Sequence, residues 1–206
     1  MYARSTTVRG DPLLVDDAIA YVRDDVMPIV QHMSGCVGLS MLCDRETGRC
    51  IITTAWADET AMHATETAVH PMRERLAGMY GGQAEVNRWE IAVLHRRHEA
   101  PDGACTRVTW TRGDPATMDR TVDTVRMALL PRLEDLEGFC SVSVMVNRRN
   151  GMSALAATYR DRSAMYATRE SVMKMRDEFT QQLGLDVTDL AEFDLVLAHL
   201  RVPETV

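Results

Sequence analysis

The sequence repeats itself. Arg9-Gly10-Asp11-Pro12 returns as Arg112-Gly113-Asp114-Pro115, an offset of 103 residues in a chain of 206. Self-similarity with a period of half the chain implies two copies of one small domain. The same offset carries Arg4 and Thr6 onto Arg107 and Thr109, Pro28 onto Pro131, and Gly35 onto Gly138. It carries Ser40 onto Ser143, Asp58 onto Asp161, and Met72-Arg73 onto Met175-Arg176. Near the end of each copy it becomes 104, so that Trp89-Glu90 matches Phe193-Asp194, as a one-residue loop insertion would produce.

Each copy alternates between strand and helix patterns. In the first, residues 3–9 read as a strand. Asp11-Pro12 suits a helix start, with Asp as cap and Pro at the first helical position. Apolar residues spaced by three and four from Leu14 to Met33 predict an amphipathic helix, kinked at Pro28. Cys36 to Cys43 alternates as a strand, Asp44 to Gly48 makes a hairpin, and Arg49 to Trp56 returns. Asp58 caps a second helix reaching about Ala77, and Glu85 to Leu94 is the last strand. The order βαββαβ is the ferredoxin-like arrangement: a four-stranded antiparallel sheet with two helices on one face.

The other sheet face must be buried, and packing two halves sheet to sheet would close a barrel. The expected class is therefore α+β, a duplicated ferredoxin-like fold forming an intramolecular dimeric α/β-barrel. Its domains would span 1–95 and 105–206, joined by a polar linker at 96–104.

With 46% hydrophobic and 26% charged residues, the chain has material for two cores. A net charge of −7 with no basic face argues against a nucleic-acid partner. No apolar run approaches the ~20 residues that span a bilayer, and no signal-peptide pattern opens the chain, so a cytoplasmic location without membrane association is expected. Five cysteines with no Cys-x-x-Cys pair fit that expectation. Cys36 and Cys43, seven apart on one strand, should face opposite ways, and no metal-binding spacing is present.

The stretch Thr54-Ala55-Trp56-Ala57-Asp58-Glu59-Thr60-Ala61-Met62 resembles the dimeric α/β-barrel superfamily, and within it the antibiotic-biosynthesis-monooxygenase-like (ABM) group. A strand-ending Trp is followed by an acidic helix cap and an Ala-hydrophobic pair. His70 falls where many members carry a helix histidine, and Gly35 before the second strand also fits. The resemblance implies a small-molecule-binding protein, in one reading a cofactor-independent monooxygenase acting on an aromatic or polyketide-like substrate. It leaves open a heme-binding or heme-degrading protein with His70 on the iron, and a non-catalytic binding module. No cofactor other than heme is implied. The halves would form an internal pseudo-dimer, with a further homodimer left open.

The residues weighed for chemistry follow from this frame. His63 and His70 lie seven apart on the second helix, so they should share a face. His70 could act as acid or base. Trp56 and Tyr159 end equivalent strands and could wall an aromatic pocket, with Tyr166 replacing His63 in the second copy. Glu90 and Asp194 alternate with Trp89 and Phe193. If the aromatics pack beneath the helices, the acids point to the other sheet face, joined by Arg88, Ser40 and Ser143. There they would serve as a catalytic base or pair with Arg88. Function should lie where the copies disagree: Trp56 against Tyr159, His63 against Tyr166, His70 against Met173.

Overall fold

The computed structural model describes residues 1–200. The hydrogen-bonded strand order is β1-β3-β2-β8-β5-β7-β6-β4, and it closes on itself as an eight-stranded antiparallel barrel. The fold is α+β and duplicated ferredoxin-like. The chain divides into two compact units.

The first unit holds β1 (Tyr2–Arg9), β2 (Cys36–Asp44), β3 (Arg49–Trp56) and the opening of β4 (Ala84–Arg96). Its helices are α1 (Val15–Tyr21), α2 (Met27–Gln31), α3 (Glu59–Ala64) and α4 (Glu66–Tyr80). The second unit repeats this with β5 (Cys105–Arg112), β6 (Phe139–Asn147), β7 (Met152–Tyr159) and the opening of β8 (Asp186–Leu200). Its helices are α5 (Met118–Thr124), α6 (Leu130–Glu134), α7 (Arg162–Ala167) and α8 (Arg169–Leu183). The unit boundaries do not follow the repeat in sequence. From Phe193 onward β8 belongs to the first unit, paired with β2, and from Glu90 onward β4 belongs to the second, paired with β6.

The repeated Arg-Gly-Asp-Pro is a structural joint. Asp11 accepts a hydrogen bond from the Leu13 amide at 2.9 Å, and Asp114 does the same for Ala116 at 2.9 Å. Each caps a 3-10 turn that leads into the first helix. Gly10 is required by space: a Cβ there would lie 1.9 Å from the Tyr80 carbonyl oxygen.

The expected kink at Pro28 takes a specific form. Residues Val22–Val26 make a π-helical turn between α1 and α2, and Val125–Leu129 makes another between α5 and α6, ahead of Pro131. Proline cannot donate to the carbonyl four residues back, and its ring crowds that carbonyl. Widening the preceding turn relieves both problems.

The second helix of each copy is not continuous. It breaks at Thr65 and at Thr168, giving α3 then α4 and α7 then α8. His63 and His70 therefore sit on different helices, contrary to the expectation of one shared face. Cys36 and Cys43 also differ from expectation. A bulge between Cys36 and Gly38 shifts the register, and both cysteines pack on the same core beneath the helices.

The alternation of the last strands is reversed relative to the sequence reading. Trp89 lies on the face turned away from the helices, where its indole N–H donates to Ser5 Oγ at 2.8 Å. Phe193 faces the same way in β8, with the Arg49 guanidinium 5.6 Å from its ring centre. Glu90 and Asp194 thus turn to the helix side. The cause is a bulge that skips Ala92 in β4 and the repeat-equivalent Val196 in β8. It splits Trp89 and Ile91 from Val93, which the sequence pattern had placed on one face.

Candidate functional site

A buried arginine anchors each helix break. In the first unit Arg4 reaches from β1 to the break, where it donates to the Met62 carbonyl and, at 3.4 Å, to Thr65 Oγ1. The Met62 carbonyl, in the last turn of α3, also accepts from Thr65 Oγ1 at 2.9 Å. Thr54 Oγ1 donates back to the Arg4 carbonyl at 3.3 Å and accepts the Trp56 indole N–H at 3.1 Å. The Arg4 guanidinium lies 5.9 Å from the centre of the Trp56 ring. Arg107 repeats the device in the second unit, donating to the Met165 carbonyl at 3.0 Å and lying 5.8 Å from the centre of the Tyr159 ring.

The charge partners of these two arginines are exchanged between the copies. Arg4 meets Glu66 of α4 at 3.0 Å, and Glu66 also takes Arg73 of α4 and, at 3.3 Å, Arg88 of β4. In the second unit the position of Glu66 is Arg169, and the position of Arg88 is Glu192. There Glu192 accepts from Arg107 through both Nε, at 2.9 Å, and a terminal nitrogen, at 2.8 Å. The swap changes what each buried arginine has left over. Arg107 Nε is satisfied by Glu192, and its remaining Nη1 has no partner. Arg4, only 2% exposed, leaves Nε without a partner, and Arg73 leaves Nη1 without one. An orphaned buried donor costs about 1–3 kcal/mol.

The two arginines of the first unit that carry these donors line a cavity. It lies between the sheet and the helices and is lined by Arg4, Arg73, Thr6, Thr54 and a ring of apolar side chains, including Val22 and Val26 of the π turn, Val30, Ile52, Val69 and Leu76. The cavity is open to solvent on one side. About 40 Å³ is open to the centre of a water molecule, room for roughly three waters.

The second unit carries larger residues at the matching positions. Leu129 stands for Val26, Leu133 for Val30, and Phe179 for Leu76. All three are buried in its core. Thr54 becomes Ala157, which removes a polar group from the wall.

Glu66 is held ionised. Burial pushes its carboxyl up, but the hydrogen bond from Arg73 and the charges of Arg4 and Arg73 outweigh that and leave it below the usual carboxylate range. For Arg4, burial lowers the guanidinium, opposed by Glu66 and reinforced by Arg73 and Arg88.

The residues singled out from the sequence are distributed as follows. His70 is exposed on α4, one residue from the cavity-lining Val69. His63 is exposed, 3.6 Å from Glu59. Trp56 is fully buried and touches the cavity wall through Thr54. Tyr159 is buried, and burial pushes its hydroxyl pKa up. Tyr166 is exposed, with Arg169 5.9 Å from its ring centre. Ser40 and Ser143 lie on the sheet face turned away from the helices, opposite Thr53 and Ala156.

Glu90, expected on that face, instead pairs with Arg148 at 2.6 Å, and Asp194 lies 4.0 Å from Arg45. Arg88 pairs with Glu66 on the helix side. The bulges described above account for the change of face. Arg4, Arg73 and Glu66 were not singled out. The signal for them was present in the charge exchange of Glu66 with Arg169 and Arg88 with Glu192 between copies. Among the described residues, no group of three or more His, Cys, Asp or Glu could hold a metal ion, and no helix is long and apolar enough to cross a membrane.

This duplicated βαββαβ barrel is the fold of solved structures described as monooxygenase-like or related to antibiotic biosynthesis monooxygenases. Solved structures of the same fold include an anthrone oxidase-like protein (TM-score 0.68, 11% identity, 99% of this chain and 95% of that one). A ferredoxin-fold protein of Listeria monocytogenes related to antibiotic biosynthesis monooxygenases also matches (TM-score 0.55, 5% identity, 95% of both chains). So does the heme-degrading enzyme LmHde of the same organism (TM-score 0.52, 8% identity, 94% and 99%). At those identities the likeness is one of fold.

No family model matches the sequence. Two Mycobacterium tuberculosis proteins do. Rv2558 is 46% identical over all of this chain and 88% of its own length, and Rv2557 is 43% identical over all of this chain and 92% of its own. The chain belongs to the family of Rv2557 and Rv2558.

Proposed function

We propose that this protein binds a small molecule in the first unit's cavity and that its reaction is cofactor-independent oxygenation of an electron-rich aromatic ligand. The observation that carries the reading is the asymmetry of the repeat. One copy keeps a cavity behind Val26, Val30 and Leu76, and the other places Leu129, Leu133 and Phe179 at the same positions. A duplicated core under no constraint other than packing has no reason to leave one copy with voids, since close packing is favoured. The likeness to an anthrone oxidase-like protein supports an aromatic ligand.

In such chemistry the ligand itself gives electrons to dioxygen, and the protein's part is to orient it and exclude water. The apolar ring around the cavity suits that part. A histidine-ligated heme does not fit this cavity. His70 points to solvent, and no histidine, cysteine or tyrosine is among the described residues that line it.

The test uses the second copy's own side chains. In the triple variant V26L/V30L/L76F the cavity is filled with residues the same fold already tolerates. Oxygen uptake with anthrone as substrate should exceed background in the native protein and fall to background in the variant. Uptake that is equal in both proteins, or absent from the native one, contradicts the reading.

A further inference from the structure

We propose that the cavity selects an anionic ligand, an aromatic or branched apolar body carrying one anionic oxygen, a carboxylate or the enolate that an anthrone forms on losing a proton, and that this oxygen sits against Arg4 Nε and Arg73 Nη1. The inference rests on the cavity being a ligand site. It adds the charge of the ligand and the groups that read it.

The argument begins with what the two guanidiniums already hold. Arg4 is 2% exposed and uses its terminal nitrogens on Thr65, the Met62 carbonyl and Glu66. Arg73 uses one terminal nitrogen on the same Glu66. Two cations therefore share one carboxylate, and each has an N–H to spare on a residue of the cavity wall. A buried donor without a partner is rare enough to need an explanation. An acceptor brought by a ligand supplies both the missing hydrogen bonds and the missing negative charge.

The other copy shows how the same arginine is treated at the matching position. Arg107 Nε donates to Glu192, an acid supplied by the last strand. The first copy has Arg88 at that position, so an acid that would quench Arg4 Nε is replaced by a third cation on Glu66. The replacement is coupled: Glu66 and Arg88 in one copy answer Arg169 and Glu192 in the other. Fold maintenance alone is served by either arrangement, since both copies keep the arginine bonded to the carbonyl at the helix break. Each copy leaves one nitrogen of this arginine without a partner, Nη1 in Arg107 and Nε in Arg4, and what differs is that Arg4 lines the cavity, together with Arg73, which also has a nitrogen to spare. The rest of that wall is apolar apart from Thr6 and Thr54, which restricts the ligand's charge to the end that meets the arginines.

The experiment compares two probes of nearly equal shape, benzoate and benzamide, by calorimetric titration at pH 7 against the native chain, Arg73→Gln, and the double swap E66R/R88E. The double swap recreates the second copy's arrangement around Arg4, so a folded precedent for it exists within the chain. Benzoate should bind the native protein at least about tenfold more tightly than benzamide. The ratio should fall to about one in both variants, while benzamide binding changes little. Equal binding of the two probes by the native protein overturns the anion preference and leaves the cavity as a ligand site. Binding of neither probe overturns both readings. An undiminished ratio in the variants shows that Arg4 and Arg73 are not the groups that read the charge.

Discussion

The side chain that carries most of the account is a buried arginine used twice. Arg107 is 3% exposed and bonded to Glu192, itself 14% exposed. Removing one partner of such a pair leaves the other buried and uncompensated, at a cost of about 3–5 kcal/mol. Arg107→Met should therefore lower the unfolding free energy in urea titrations by an amount in that range, and an unchanged midpoint would mean the pair is not sealed from solvent. Glu66 gives a pH signature. Its folded carboxyl is held below its ordinary value, so its contribution to stability is fully present above the unfolded pKa. That contribution is lost as pH falls through the lower, folded value. As pH falls through and below the ordinary carboxylate range, the stability of the native chain should drop more steeply than that of Glu66→Gln. Parallel acid limbs in urea titrations of the two proteins would contradict the assignment.

At the scale of elements, the π turn ahead of Pro28 and the ring of valines set the cavity. Leaving about 40 Å³ open has a cost, of order 1 kcal/mol at ~24 cal/mol per Å³. V26L/V30L/L76F should accordingly be more stable than the native chain by about that amount while losing ligand binding. A variant destabilised by several kcal/mol would show that the space does not accept the second copy's side chains.

The elements themselves were largely legible in the sequence. Asp11 and Asp58 announced helix starts, Pro28 announced a distortion, and the alternation of Cys36 to Cys43 and Arg49 to Trp56 announced a hairpin. What was not legible is parity. Trp89, Ile91 and Val93 alternate as one face, and only the strand pairing reveals the bulge at Ala92 that divides them. That single extra residue moved Glu90 and Asp194 away from where the pattern put them. The helix break at Thr65 was equally silent, because nothing local forbids a continuous helix there. At the break the Met62 carbonyl accepts from Thr65 Oγ1 and from Arg4, which is distant in sequence.

For the whole molecule, the repeat in sequence and the units in space are not the same division. The last strands continue from one unit into the other, so residues 1–96 contain a β2 without the β8 partner and a β4 end without β6. Expressed alone, 1–96 should not show the cooperative urea transition of the full chain, and a fragment as stable as the parent would count against the unit boundaries. The near-symmetry also frames the function. The proposed site draws on disagreements between the copies other than those at the histidines. They are Val26, Val30, Leu76, Glu66 and Arg88, whose counterparts differ by one to three carbon atoms or by the sign of a charge. Such differences point to a site only once the chain's folding has gathered them around one space.

The most direct measurement is a methyl-resolved NMR titration of the native chain with benzoate. The account predicts one site per chain, with shifts concentrated at the methyls of Val26, Val30, Val69 and Leu76. Two equivalent sites, or shifts at Val125, Leu129 and Leu133 in place of the first set, would contradict it.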